Sequence, residues 1–152
     1  MSVAQPHAAQ PGARPDLTRD VTRGAHRLLR ALGYSVLEEF PLPNGRRADL
    51  VALARDGSLR IVEVKSSLAD FRSDDKWTHY LGFCDRFYFA IPLALPTGHF
   101  PGEAGLILAD AHGAMMERES PARAIAAATR RSMLIRFGSL AADRLSNALA
   151  AR

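Results

Sequence analysis

Residues 47–66 constrain the fold more than any other part of the sequence, because their pattern is typical of a two-stranded hairpin. The segments Ala48–Ala54 and Leu59–Val64 are both rich in aliphatic side chains. Between them, Arg55–Gly57 fits a three-residue hairpin loop with its glycine in the left-handed conformation. The stretch therefore predicts two antiparallel strands joined by a tight turn.

This loop fixes which residues lie opposite each other in the hairpin. If Ala54 pairs with Ser58, counting inward places Asp49 directly across from Glu63. Side chains alternate along a strand, so Glu63 and Lys65 share one face. The sequence thus predicts two carboxylates and one amine close together where the second strand ends.

Such a group suits metal-dependent chemistry. Side chains that face each other across strands have β-carbons about 5 Å apart, so Asp49 and Glu63 can hold one hard cation, Mg²⁺ or Mn²⁺, with the backbone carbonyl of Val64 as a third ligand. The cation activates water, and Lys65 can orient that water or stabilise charge on an attacked phosphate. Asp49, Glu63 and Lys65 are therefore the candidate catalytic residues of a phosphodiesterase. The alternative is a surface ion-pair cluster without catalytic function.

The remaining sequence predicts helices and strands in alternation. The predicted elements are a helix at Leu17–Leu32 with Asp16 as N-cap and Gly33 as stop, a strand at Tyr34–Phe40, a helix at Leu68–Gly82, a strand at Arg86–Ile91, a loop at Pro92–Gly105, a strand at Leu106–Asp110, and helices at Ala122–Ser132 and Leu140–Ala150. This order is typical of an α/β domain with a mixed central β-sheet flanked by helices on both faces. We expect a disordered leader at 1–15 and a single domain at 16–152.

Composition excludes several classes of protein. A chain of 152 residues, 47% hydrophobic and 24% charged, is one globular domain rather than a disordered or disulfide-stapled chain. Its single cysteine, Cys84, is interpreted as a buried inert thiol. No apolar run approaches the roughly 18 residues of a membrane span, and no export signal is visible, so a cytoplasmic protein without membrane partners is expected. The net charge of +4 and 18 arginines against two lysines favour a polyanionic partner.

Four residues are candidates for binding DNA. Arg23 and Arg27 belong to a row of arginines on the first helix, although such a row is often simply a solvated face. Ser66 follows Lys65 and can donate to a phosphate, or can merely help end the strand before the next helix. Lys76 lies on the predicted second helix beside Trp77, whose ring is more often part of a core than a base-stacking platform.

The acidic residue on one strand and the Glu-X-Lys triplet on the next resemble the PD-(D/E)XK nuclease superfamily, whose core also has the flanking helices. Its acidic, Glu and Lys positions fall on Asp49, Glu63 and Lys65. That resemblance implies a restriction-endonuclease-like fold. Ala48 stands where many members have proline. The glutamate that many members carry on the first helix is missing too, since that helix has only Asp20; Glu38 or Glu39 would have to substitute.

A narrower resemblance covers roughly Leu17–Phe137. The stretches LGYSVLEEFPLPNGRRADLVAL and IVEVKSSLADFRSDDKWTHYLGFCDRFYFAIP are similar to the MmcB family of bacterial DNA-repair proteins. This implies a role in tolerance of DNA damage, in the cytoplasm and associated with the nucleoid. Membership of the family does not by itself imply catalysis.

Three hypotheses follow. The first is a Mg²⁺-dependent deoxyribonuclease acting on damaged or branched DNA in repair. The second is a catalytically inactive module of the same fold that binds DNA or joins a complex of DNA-repair proteins. The third is an interaction protein that docks a partner through the 92–105 loop and the last helix. By analogy with resolvases of this fold, a homodimer is a further expectation.

Overall fold

A computed structural model describes residues 14–152 as helices arranged around one six-stranded sheet. The strands are β1 (Ser35–Pro41), β2 (Arg47–Leu53), β3 (Leu59–Val64), β4 (Arg86–Pro92), β5 (Gly105–Ala109) and β6 (Ala114–Arg118). They lie in the sheet in the order in which they occur in the chain. The first three strands are antiparallel, β3, β4 and β5 are parallel, and β6 returns antiparallel to β5. The predicted mixed sheet is confirmed.

Helices cover both faces of this sheet. Helix α1 (Arg14–Ala31) packs on one face through a small apolar cluster that includes Leu29 and Val62. The opposite face carries α2 (Leu68–Ser73), a 3₁₀ helix at Trp77–Phe83 and α3 (Ala127–Ala150) over a larger cluster. The sheet therefore separates α1 from every other helix.

The hairpin has the register that its turn predicts. The Ala54 N–H donates to the Ser58 carbonyl at 2.9 Å, and Gly57 has a φ of 87°, in the left-handed region that glycine occupies without strain. Leu50 pairs with Val62, so Asp49 faces Glu63 one step further along. The bounds of the five predicted strands are each correct to within one residue.

The predictions for the first two helices need correction. Helix α1 begins at Arg14, so Asp16 lies inside its first turn and is not the N-cap; of the predicted leader, residues 1–13 lie outside the described part of the chain. The predicted helix Leu68–Gly82 is broken after Ser73. There the Asp74 side chain accepts from the Lys76 N–H at 3.1 Å, a local bond that competes with helical pairing. The chain continues as a 3₁₀ helix.

The C-terminal third differs most from the prediction. Strand β6 is not among the predicted elements. Instead of two helices at Ala122–Ser132 and Leu140–Ala150, one helix, α3, runs through Gly138, where glycine is tolerated at a modest cost. Residues 119–126 are not helical. The Arg123 N–H donates to the carbonyl of Asp85, the residue before β4, so this bond holds the segment beside the sheet in place of a helical hydrogen bond.

Two further expectations can be compared with the structure. Cys84 is fully buried, and burial raises the pKa of its thiol to about 12, which agrees with an inert core residue. Among the described residues, no helix is both long and apolar enough to cross a bilayer.

Candidate functional site

The carboxylates of Asp49 and Glu63 meet where β2 and β3 part. The backbone ladder between these strands ends at Leu50 and Val62. Beyond it, the Asp49 N–H donates to Glu63 Oε1 at 2.9 Å, and the Val64 N–H donates to Asp49 Oδ2 at 2.8 Å. Each side chain thus accepts from the backbone of the other strand, which fixes both carboxylates side by side.

Burial controls the charge of this pair. Glu63 is only 6% exposed, and desolvation, together with the nearby Asp49 charge, raises its pKa to about 9. Burial also raises the pKa of Asp49, against the lowering effect of its bond from Val64. At neutral pH without a cation, the pair therefore holds one shared proton. A divalent cation bound there would displace that proton.

Lys65 does not contact either carboxylate. Its Nζ lies 2.8 Å from Asp74 Oδ2, an ion pair in which both side chains are largely buried. No other ion pair of Lys65 exists within residues 14–152. Asp74 is held in place because its other oxygen accepts from the Lys76 N–H. The candidate catalytic lysine thus lies beside the carboxylates but is directed toward the end of α2.

Nearly the whole sequence resembles one family of proteins. The MmcB-like family, described as DNA repair protein MmcB-like, matches residues 5–152. This chain belongs to the MmcB-like DNA-repair family. The narrower of the two resemblances, to the MmcB family, is confirmed, and a role in DNA repair comes with it. No curated protein matches the sequence significantly.

The MmcB-like chain also has a relative among solved structures. A protein of unknown function from Silicibacter pomeroyi is 39% identical in sequence and superposes with a TM-score of 0.80. The match covers 84% of this chain and 88% of that one. The α/β fold is therefore shared over most of both chains.

The carboxylate pair fits a divalent cation as a partial set of ligands. Its hydrogen bonds leave Asp49 Oδ1 and Glu63 Oε2 without an N–H donor from the described residues. Two carboxylates suffice for Mg²⁺ when water and substrate phosphate complete its coordination. No cluster of three or more histidine, cysteine or acidic side chains is arranged for a metal within 14–152. A cation here would therefore depend on the substrate for further ligands.

The predicted DNA-binding residues fall on two sides of the molecule. Ser66 directly follows Lys65, and Lys76 lies exposed two residues after Asp74, so both belong to segments that adjoin the Lys65–Asp74 ion pair. Arg23 and Arg27 are on α1, which packs on the far face of the sheet. A phosphate at the Asp49–Glu63 pair therefore cannot lie against the exposed arginines of α1.

The acidic residues considered as substitutes for the missing helix glutamate are directed elsewhere. Glu38 contacts His26 of α1 at 3.1 Å, which places its carboxylate on the far face. Glu39 lies opposite Asp49 on β1 with a φ of 47°, but its side chain is 70% exposed and lies 4.0 Å from Arg47. Asp20 is on α1, also across the sheet.

Three residues of the site were missed in the sequence. Asp74 anchors Lys65, Asp70 accepts from the Ser66 N–H at 3.1 Å, and the Tyr80 hydroxyl donates to the Arg47 carbonyl at 3.3 Å. The nearby Glu63 and Asp49 charges add to burial in raising the pKa of Tyr80 to about 12. The sequence contained a signal for Asp70, since Ser67 caps α2 by accepting from the Asp70 N–H. The sequence contains no signal for Asp74, because its pattern predicts one continuous helix through that residue.

Proposed function

We propose that this MmcB-like chain is a cation-dependent deoxyribonuclease of DNA repair, with Mg²⁺ or Mn²⁺ held by Asp49 and Glu63. The observation that carries the proposal is the pair of carboxylates, Glu63 buried and Asp49 half-buried, each fixed by the other strand's backbone and each with one oxygen that no N–H of residues 14–152 reaches. Burying two adjacent carboxylates is costly unless a proton or cation lies between them. A DNA-repair family makes a phosphodiester the natural substrate.

The chain's own residues would divide the work as follows. Asp49 and Glu63 hold the cation at the splayed end of β2 and β3, and the Val64 carbonyl is the proposed third protein ligand. When bound, the cation supplies Lewis-acid stabilisation of the phosphate and a more acidic water. Lys65 places positive charge beside that phosphate, and Asp74 orients the lysine. Ser66 offers a hydroxyl at the same strand end.

One observation favours a second candidate, a DNA-binding module without catalysis. Lys65 is paired with Asp74 rather than directed toward the carboxylates. A lysine that is buried and paired in this way makes no contact with a scissile phosphate. In that case Asp49 and Glu63 would retain their shared proton, and DNA binding would need no divalent cation.

Calorimetric titration with Mn²⁺, with and without a branched DNA duplex, tests the choice. We expect the wild type to bind Mn²⁺ at one site. The affinity of this site should be at least about tenfold lower in Asp49→Asn, because the amide replaces one anionic ligand. Asp75→Asn is the matched control, since Asp75 is an exposed carboxylate in the same region. It should bind as the wild type does.

Cleavage of the same DNA in Mn²⁺ completes the experiment. Cleavage by the wild type that is lost in Asp49→Asn and kept in Asp75→Asn would support the nuclease. If the folded wild type binds no Mn²⁺ in either condition, the nuclease proposal fails. DNA binding that Asp49→Asn leaves unchanged would then favour the non-catalytic module.

A further inference from the structure

The sheet edge next to the carboxylate pair carries three arginines from two distant parts of the chain. Arg46 and Arg47 precede Asp49 on the turn and start of β2. Arg144 comes from α3, and its guanidinium donates to the Glu39 carbonyl at 3.2 Å. Glu39 lies across from Asp49 in the β1–β2 register, between the pairs Glu38–Leu50 and Phe40–Ala48. We call Arg46, Arg47 and Arg144 the arginine edge.

The positive charge of this edge is largely uncompensated. Within residues 14–152, neither Arg46 nor Arg144 forms an ion pair with a carboxylate. Arg47 is 67% exposed and lies 4.0 Å from an equally exposed Glu39, a contact that contributes little in water. Three guanidinium groups therefore remain available to an anionic partner.

The length of α3 explains how Arg144 reaches this position. Arg130, near the start of the helix, is bonded to Asp85 just before β4, at the far end of the sheet. From Arg130 to Arg144 the helix rises about 21 Å at about 1.5 Å per residue, which nearly equals the length of a seven-residue strand. Helix α3 thus spans the sheet and brings Arg144 to the end where the carboxylates lie.

A further exposed basic residue follows α2. Lys76 is exposed, and its N–H is fixed by Asp74, the partner of Lys65. Phosphates that pass from the arginine edge over the carboxylates toward Lys65 and Asp74 would approach the segment that carries this exposed lysine. Arginine is suited to such a backbone because its planar fork binds phosphate oxygens in pairs.

We propose that the DNA backbone binds along the arginine edge, with Arg47 and Arg144 contacting phosphates that flank the Asp49–Glu63 pair. The inference builds on the proposed function, since it names the surface that presents DNA to that site. The arginine row of α1, on the far face of the sheet, takes no part. Phosphate contacts carry no base information, so this surface binds DNA independently of sequence.

Fluorescence anisotropy with a labelled DNA duplex, at several salt concentrations and with EDTA present, tests the surface. We expect Arg47→Gln/Arg144→Gln to weaken binding at least about tenfold and to reduce the salt slope by about two, one per lost phosphate contact. Arg131→Gln/Arg136→Gln is the matched control, because it also removes two exposed arginines, both from α3, the helix that carries Arg144. Its affinity should stay within about twofold of the wild type.

Other outcomes would overturn the inference. Equal losses in both double variants would mean that only net charge matters, and a loss confined to Arg23→Gln/Arg27→Gln would place DNA on α1. Absence of binding by the wild type would also reject it. Calorimetry separates this inference from the nuclease proposal. A wild type that binds DNA through the arginine edge but binds no Mn²⁺ would retain the surface and reject the nuclease.

Discussion

Replacing Glu63 by glutamine is expected to slow Mn²⁺-dependent DNA cleavage by about a thousandfold and yet to stabilise the cation-free protein. The amide keeps an oxygen for the Asp49 N–H and offers an N–H to the Asp49 carboxylate, so the hydrogen bonds of the pair survive. What disappears is the anionic ligand and the need to bury a titratable group. Activity and stability should therefore change in opposite directions.

The stabilisation depends on pH with a definite sign. The pKa of Glu63 is raised from 4.5 to about 9 in the folded chain. Between those values the unfolded chain has lost the proton and the folded chain keeps it, so the folded state is progressively disfavoured as pH rises. The cost approaches about 1.4 kcal/mol per pH unit for one proton. Below pH 4.5 the wild type and Glu63→Gln should have nearly the same free energy of unfolding. At pH 8 the free energy of unfolding of the variant should be higher by at least about 2 kcal/mol.

Urea unfolding in EDTA at pH 4, 6 and 8 measures this difference, with the exposed Glu117→Gln as control. Adding Mn²⁺ at pH 8 should then stabilise the wild type, by about 2.7 kcal/mol at a hundred times the dissociation constant, and leave Glu63→Gln unchanged. A difference between wild type and Glu63→Gln that stays constant across pH would contradict the shared proton. Stabilisation of both proteins by Mn²⁺ would place the cation elsewhere.

The carboxylate pair could be predicted from the sequence because its geometry is local. A three-residue loop ending at Gly57 determines the register, and strand alternation then places Asp49 against Glu63. No long-range contact is needed for either step. What the sequence did not reveal is that the strands separate at this point, so that the side chains bond to backbone N–H groups in place of the ladder.

The rest of the site depends on contacts between distant segments, which local sequence patterns do not predict. The partner of Lys65 is Asp74, which lies where an apparently helical pattern is interrupted by a bond from its own side chain. The arginines of α1 look suitable in sequence because charge spacing does not say which face of the sheet a helix covers. Arg144 gave no signal, since its position follows from the full length of α3.

Replacing Asp85 by alanine is expected to lower the free energy of unfolding by about 3 kcal/mol. Asp85 joins three segments. Its Oδ2 accepts from the Leu59 N–H at 2.7 Å and from Arg130 at 2.9 Å, and its Oδ1 accepts from Arg130 at 2.7 Å. Its own backbone also bonds to Leu59 and Arg123. Removing the carboxylate leaves the Leu59 N–H without an acceptor, and the Arg130 guanidinium keeps only its bond to the Gly57 carbonyl. A buried donor without a partner costs about 1–3 kcal/mol, and the partly exposed guanidinium adds less.

The pH dependence of this loss identifies its origin. Arg130 holds the pKa of Asp85 below its usual value of 3.8, with the bond from Leu59 adding to the effect. Because the pKa is lowered, the ionised Asp85 carboxylate stabilises the fold at pH values above about 4, and this stabilisation is lost as the folded carboxylate is protonated at lower pH. The difference in free energy of unfolding between the wild type and Asp85→Ala should therefore be largest near neutral pH and decrease in acid.

The variant Asp85→Asn, which keeps an acceptor for the Leu59 N–H, should lose only about half as much free energy of unfolding as Asp85→Ala. Equal losses in both variants at every pH would mean that packing rather than charge accounts for the effect. If Asp85→Ala also weakens DNA binding while the protein stays folded, α3 needs this anchor to hold Arg144 at the carboxylate pair.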